Sequence, residues 1–238
     1  MSRAAVPVRE RLIFAMDVPT PDAARRLADQ LGDSVSFYKL GLELFMSGGA
    51  FELLDALVGR GKKIFLDLKL FDVPATVAGA VRNLRNRGIT FATVHGNQAI
   101  MEAAAGAADG VGILAVTVLT SLDRGDLDDL GFQVDVEALV LSRARRALKA
   151  GCAGVISSGL EAKVLRAGVD DRLIVVTPGI RPVENRPADD QKRVVGVADA
   201  FANGADYIVV GRPIRDAADP RAAAESIQST IAGLFPGR

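Results

Sequence analysis

The segment Arg11-Leu12-Ile13-Phe14-Ala15-Met16-Asp17-Val18-Pro19-Thr20-Pro21-Asp22 decides between two ways of building an α/β protein. Its first part is an apolar, β-prone run, Arg11–Val18. Its second part, Pro19-Thr20-Pro21-Asp22, reads as a helix N-cap sequence. An open, doubly wound sheet that binds a dinucleotide would carry G-x-G-x-x-G at this turn. No such glycine pattern follows Val18.

Working outward, seven further strand-like runs follow: Ser36–Leu44, Lys62–Leu70, Phe91–His95, Gly112–Thr120, Gly154–Ser158, Leu173–Ile180 and Tyr207–Ile214. Amphipathic stretches lie between them, among them Ala23–Leu31, Phe51–Gly59, Thr76–Arg87, Val136–Ala150 and Val194–Ala202. Gly32, Gly61, Gly88, Gly151 and Gly204 fall where left-handed helix ends are expected. Eight evenly spread βα units in 238 residues predict a single-domain (β/α)8 TIM barrel over residues 11–238. Residues 1–10 read as a loosely ordered N-terminal extension. Two connections are long, Ser121–Asp135 after the fifth strand and Arg181–Lys192 after the seventh. In a barrel both lie on the C-terminal face, where active sites and mobile lids form.

The composition narrows the function. At 49% hydrophobic the chain can bury a large core, which excludes disordered and collagen-like classes. Lys+Arg and Asp+Glu are both 29, so no global basic field invites nucleic acid. Aromatics are 5%, too few for base-stacking platforms. One cysteine, Cys152, and one histidine, His95, exclude a disulfide framework and a Cys/His zinc site. Met1–Glu10 holds Arg3 and Arg9 and no apolar segment of the signal-peptide kind, and no run is long enough to span a bilayer. The expectation is a cytoplasmic, reduced protein without a membrane partner.

Strand side chains alternate faces. In the third run Ile64, Leu66, Leu68 and Leu70 share one face, and Lys63, Phe65, Asp67 and Lys69 share the other. In the second run Lys39, Gly41 and Glu43 oppose Leu40, Leu42 and Leu44. In the first, Asp17 lies on the face of Ile13 and Ala15. With the leucine faces packed on helices, Asp17, Lys39, Asp67 and Lys69 point into the barrel near its C-terminal mouth. Isolated buried charges are too costly to persist, so these must pair or serve chemistry. Their signs alternate along the chain, and Asp72 follows just past the strand. A salt-bridge network that merely closes the barrel top would explain one such residue more easily than the set. Glu43 reads as in register with Lys39 but deeper in the barrel, a partner rather than a site residue.

Barrels often bind phosphate with the loops after strands seven and eight. Here those runs end Thr177-Pro178-Gly179-Ile180-Arg181 and Val210-Gly211-Arg212-Pro213. Glycine admits a close backbone approach, and arginine offers planar paired donors that match phosphate oxygens. Two such pairs on adjacent strand ends point to a phosphorylated small molecule.

At these residues the chain resembles a known family. Asp67-Leu68-Lys69-Leu70-Phe71-Asp72-Val73-Pro74-Ala75-Thr76 resembles the D-x-K-x-x-D-[IV]-P-x-T signature of the orotidine 5′-phosphate decarboxylase family, bacterial branch. Asp17, Tyr38-Lys39-Leu40-Gly41, Leu119-Thr120-Ser121, Thr177–Arg181, Asp190-Gln191 and Gly211-Arg212-Pro213 agree in order. The resemblance implies a homodimeric TIM barrel that converts orotidine 5′-monophosphate to UMP and CO2, the last step of UMP biosynthesis, with no cofactor and no metal. It implies Lys69 as proton donor to C6 and Asp67 beside the substrate carboxylate. Asp72 and Thr76 would reach the neighbouring protomer's site. Asp17 and Lys39 would hold the ribose and the charge network, and Thr120 the pyrimidine edge. Arg181, Gln191, Gly211 and Arg212 would bind or close over the phosphate.

Other residues read more plainly. His95 reads as a structural hydrogen-bonding residue, since no step needs it. Cys152, in Ala150-Gly151-Cys152-Ala153-Gly154, lacks a nearby base and reads as a small packed residue. Asp126, Asp128 and Asp129 lack calcium-loop spacing and read as a solvated acidic loop. Three rival functions differ in testable ways. A magnesium-dependent sugar-phosphate decarboxylase or aldol-type synthase of the same superfamily would lose activity to a chelator. A Schiff-base aldolase would need a lysine without acids on both sides. A phosphate-ligand sensor would have no use for Lys69 between carboxylates.

Overall fold

The computed structural model describes residues 6–181 and 194–236. Eight parallel strands close into a barrel in chain order: β1 (Leu12–Ala15), β2 (Phe37–Gly41), β3 (Lys63–Leu70), β4 (Ile89–His95), β5 (Gly112–Val116), β6 (Gly154–Ile156), β7 (Ile174–Thr177) and β8 (Tyr207–Val210). Closure is made by β1 against β8, with Leu12 opposite Ile208 and Phe14 opposite Val210. That pairing excludes the open sheet and bears out the (β/α)8 reading. Around the barrel lie α1 (Pro21–Leu31), α2 (Leu42–Met46), α3 (Ala50–Gly59), α4 (Pro74–Arg82), α5 (Gln98–Ala107), α6 (Arg124–Asp129), α7 (Val136–Lys149), α8 (Ala162–Gly168), α9 (Val197–Ala202), α10 (Arg212–Arg215) and α11 (Pro220–Leu234). No helix among the described residues is long and apolar enough to cross a membrane.

The deciding segment folds as its residues dictate. Thr20 caps α1 by accepting from the Ala23 N–H at 3.2 Å, and Pro21 opens the helix. Gly32, Gly61, Gly88, Gly151 and Gly204 all have positive φ, as expected of left-handed helix ends.

Alternation along the strands creates two cores. Ile13, Ala15, Phe37, Phe65, Phe91, Leu114, Val176, Tyr207 and Val209 fill the barrel. The Phe37, Phe91 and Tyr207 rings contact one another with centroids 5.4 to 5.9 Å apart and form the floor below the site. The opposite faces, including Leu12, Phe14, Tyr38, Leu40, Ile64 and Leu66, pack outward against the helices.

Most strands are shorter than their apolar patterns, while β4 starts two residues earlier than its run. After Gly41 the chain turns into α2 instead of extending to Leu44. This corrects the reading of Glu43: it lies in the first turn of α2, exposed at the cavity rim, and not deeper in the barrel. The long connection after β5 contains α6, whose start is a capping box between Asp123 and Asp126. Of the N-terminal extension, residues 1–5 lie outside the described residues. Val8–Glu10 forms a short 3-10 turn, with Glu10 paired to Lys63 at 2.6 Å and the Arg9 carbonyl accepting from Gln228 at 3.0 Å.

Candidate active site

Three neighbouring strands deliver the charges. Asp17 lies just beyond β1, Lys39 is on β2, and Asp67 and Lys69 are on β3. Lys39 Nζ donates to Asp17 Oδ1 at 2.9 Å and lies 3.5 Å from Asp67 Oδ2. Lys69 Nζ donates to that same Asp67 oxygen at 3.0 Å. The result is a continuous chain of alternating sign: Asp17, Lys39, Asp67, Lys69. Its middle pair is buried, while Asp17 and Lys69 are partly exposed at the cavity.

The ionisation of the middle pair follows from this order. Burial works against the Lys39 ammonium, but Asp67 and then Asp17 outweigh it and hold its pKa above the ordinary lysine value. Burial likewise opposes the Asp67 charge. Lys39 and Lys69 outweigh it, helped by hydrogen bonds from Lys69 and Thr93, and its carboxyl stays below the ordinary value. Gly41 makes the packing possible, because a Cβ there would meet Asp17 Oδ1 and Lys39 Nζ at 3.0 Å each.

Across the barrel mouth stand the two expected loops. Arg181 follows β7 and is buried, its Nη1 donating to the Ile180 carbonyl at 2.9 Å. Gly211 and Arg212 follow β8. Asp17, Lys39, Asp67, Lys69, Thr120, Arg181, Gly211 and Arg212 all line one cavity of about 570 Å³. Such a volume suits a small-molecule ligand. The arrangement can hold an anionic group between arginines while presenting an ammonium between carboxylates. Gln191 lies outside the described residues.

Asp72 and Thr76 are not brought into this cavity. Asp72 is exposed, and its Oδ1 accepts from the Val73 N–H at 2.6 Å. Thr76 is exposed on the first turn of α4. His95 also lies off the cavity: its Nδ1 is 3.0 Å from Asn97 Oδ1, and its ring is 4.5 Å from that of Phe71. Burial pushes the Cys152 thiol up to about 12, which removes it as a nucleophile.

Two residues escaped the sequence reading. Arg215 lines the cavity and its Nη1 donates to the Asp17 carbonyl at 2.7 Å, tying the β8 loop to the end of β1. Its signal was the three-residue spacing from Arg212, one helical turn. Thr93 is buried and donates to Asp67 Oδ1 at 2.9 Å. Its signal was a hydroxyl on the inward face of β4, two residues from Phe91.

A closed (β/α)8 barrel with a lysine–carboxylate chain at the C-terminal ends of its strands, facing arginine loops, defines a TIM-barrel enzyme. Comparison with known proteins gives the particular family. The model of the Orotidine 5′-phosphate decarboxylase / HUMPS family matches residues 10–227. Over 235 residues the chain is 65% identical to the orotidine 5′-phosphate decarboxylase of Methylococcus capsulatus, covering 99% of this chain and 97% of that one. It is 51% identical over 242 residues to that of Stenotrophomonas maltophilia, covering 100% of both. The crystal structure of orotidine 5′-phosphate decarboxylase from Lactobacillus acidophilus is similar with a TM-score of 0.82 at 35% identity, covering 93% of this chain and 99% of that one. The chain belongs to the orotidine 5′-phosphate decarboxylase / HUMPS family, and it is an enzyme of the carboxy-lyase class.

Proposed function

We propose that this protein decarboxylates orotidine 5′-monophosphate to UMP and CO2, the closing step of UMP biosynthesis. One observation carries the reading: the Lys69 ammonium stands 3.0 Å from Asp67 in the same cavity that takes Arg181 and Arg212. In this reading the 5′-phosphate lies against Arg181, Gly211 and Arg212, with Gln191 completing its contacts. Asp17 and Lys39 hold the ribose hydroxyls, and Thr120 meets the pyrimidine edge. The substrate carboxylate then lies beside Asp67.

The bond between C6 and the carboxylate breaks, and its electron pair stays on C6. That pair lies in the ring plane, where no π-system can delocalise it. A preorganised ammonium, shielded further when bound substrate displaces water, stabilises it and then delivers a proton. An N–H proton of Lys69 moves to C6, CO2 departs, and water restores the ammonium. Repulsion between Asp67 and the substrate carboxylate is relieved as CO2 leaves. We rank this below carbanion stabilisation. No cofactor or metal takes part in these steps.

The site is completed in a homodimer. Asp72 and Thr76 are turned away from their own cavity and exposed, beside Phe71 and Val73, which are 65% and 62% exposed. In a second copy the two polar residues would face the neighbour's Lys69.

Purified protein mixed with orotidine 5′-monophosphate and a chelator tests the reading. The expected result is loss of the substrate's ultraviolet band with one CO2 released per UMP. Lys69→Ala should fall by about 10²-fold or more, the lower range of general acid catalysis. Absence of UMP, dependence on added magnesium, or full activity in Lys69→Ala would overturn it.

A further inference from the structure

β3 and β4 fall out of register beside the lysine. Leu66 pairs with Ala92 and Leu70 with Val94, so Asp67, Leu68 and Lys69 stand opposite Thr93 alone. This is a special bulge, three residues against one, and bulges re-aim side chains next to active sites. Its cost falls on Lys69, which has φ 49°, in the left-handed region that a long side chain rarely adopts. Its backbone N–H also loses a regular ladder partner there.

The Thr93 side chain replaces what the bulge removes. Its Oγ1 accepts from the Lys69 N–H at 2.9 Å and donates to Asp67 Oδ1 at 2.9 Å. A hydroxyl has one proton, and a carboxylate oxygen can only accept. Both bonds therefore have a fixed direction. Thr93 is 1% exposed and stands outside the lining of the catalytic cavity. With Oδ1 of Asp67 held by Thr93, Oδ2 is left to the two ammoniums, Lys69 at 3.0 Å and Lys39 at 3.5 Å.

We infer that Thr93 is a positioning residue for the decarboxylation: one hydroxyl pins the strained backbone of Lys69 and the plane of the Asp67 carboxylate. The Lys69 ammonium then has one place to stand when the carbanion forms. A β-branched residue suits the task, because its side-chain rotamer is restricted. The inference rests on the reading of Lys69 as proton donor.

Thr93→Val keeps the shape and removes the hydroxyl, Thr93→Ala removes both, and Thr93→Ser keeps only the hydroxyl. Turnover, KM and UMP affinity by calorimetry are measured for each, with thermal melting as the folding control. Thr93→Val and Thr93→Ala should lose about tenfold to a hundredfold in kcat, since a 1 Å misplacement can cost about 10²-fold. Their KM and UMP affinity should stay within about threefold of wild type, because the cavity lining is intact. Thr93→Ser should restore kcat to within about threefold. A crystal structure of Thr93→Val should show the Lys69 ammonium displaced from Asp67. The inference is overturned if the Val and Ala variants turn over like wild type, if UMP affinity falls in step with kcat, or if Ser fails to rescue. Should Val fail to fold, Ala and Ser alone decide it. A silent Lys69→Ala beside a fully active Thr93→Val sinks only this inference, whereas an active Lys69→Ala sinks the donor reading itself.

Discussion

Two acids share the Lys39 ammonium, one from the end of β1 and one from β3, and Asp67 in turn shares itself between two ammoniums. The raised Lys39 pKa means that its pairing stabilises the fold fully below 10.5 and is lost as pH rises through the folded value. The lowered Asp67 pKa means that its pairing is present above 3.8 and is lost as pH falls through the folded value. Between those limits the network contributes a plateau. Lys39→Met should destabilise the protein at pH 7 by about 3–5 kcal/mol, because it leaves Asp67 buried with one partner fewer. Asp67 in that variant loses its largest charge-stabilising partner, so it should protonate at higher pH than in wild type. The gap in Tm between variant and wild type should therefore narrow from pH 7 to pH 4, and a gap constant over that range would refute the argument. These charges were legible in sequence because ions on the inward face of apolar strands break the strand pattern. Thr93 was not, since threonine is ordinary in a strand and only the bulge gives its hydroxyl a task. Arg215 was not either, because its bond to the Asp17 carbonyl joins the two ends of the chain, a contact that no local pattern encodes.

Strand existence was readable from periodicity, and strand ends were not. The apolar pattern of the second run continues to Leu44, yet Leu42 and Glu43 belong to the exposed turn of α2. A rule of strict alternation also has no place for the three-to-one bulge in β3. At the other end of the barrel Arg166 joins several elements, beside the buried Arg11, whose Nη1 donates to the Asp206 carbonyl at 3.1 Å. Arg166 on α8 donates to the Gly204 carbonyl at 2.8 Å and the Leu173 carbonyl at 2.7 Å, and it pairs with Asp206 Oδ2. That carboxylate oxygen also accepts from the Val175 N–H at 2.8 Å, so one ion pair joins α8, β7 and the entry to β8. Arg166→Met should cost about 3 kcal/mol, as expected when a buried carboxylate loses an ion-pair partner. For a chain of this size the fall in Tm should be roughly 6 °C or more. Arg166→Lys should recover only part, because an ammonium cannot reproduce the planar fork. KM for orotidine 5′-monophosphate should not change in either variant, since these contacts lie at the far end of the strands from the cavity. A melting temperature within 2 °C of wild type, measured by calorimetry, would count against this view of the bottom clamp.

At the scale of the molecule, the barrel brings only one of the two signature acids into its cavity. Lys69 has Asp67 at 3.0 Å, while Asp72, the second acid of the same signature, is exposed on the loop beyond the strand. Phe71 and Val73 beside it are large apolar side chains facing outward, a feature that marks interaction surfaces when such residues cluster. If two copies pair through this rim, each site takes Lys69 from one protomer and Asp72 from the other. Lys69→Ala and Asp72→Ala homodimers should then both be nearly inactive, since every site in each lacks one of the two groups. Mixing them, with subunit exchange, changes the count of defects per site. A mixed dimer places both substitutions in one site and leaves the other intact. With random exchange, half of the dimers are mixed and each carries one working site of two, so activity should return to about a quarter of wild type under two-fold pairing. The recovered activity should rise with the rate of exchange and should disappear when the two variants are assayed immediately after mixing. Additive, unrecovered activity after full exchange would mean that Asp72 serves its own protomer, or that the chain works without the partnered rim.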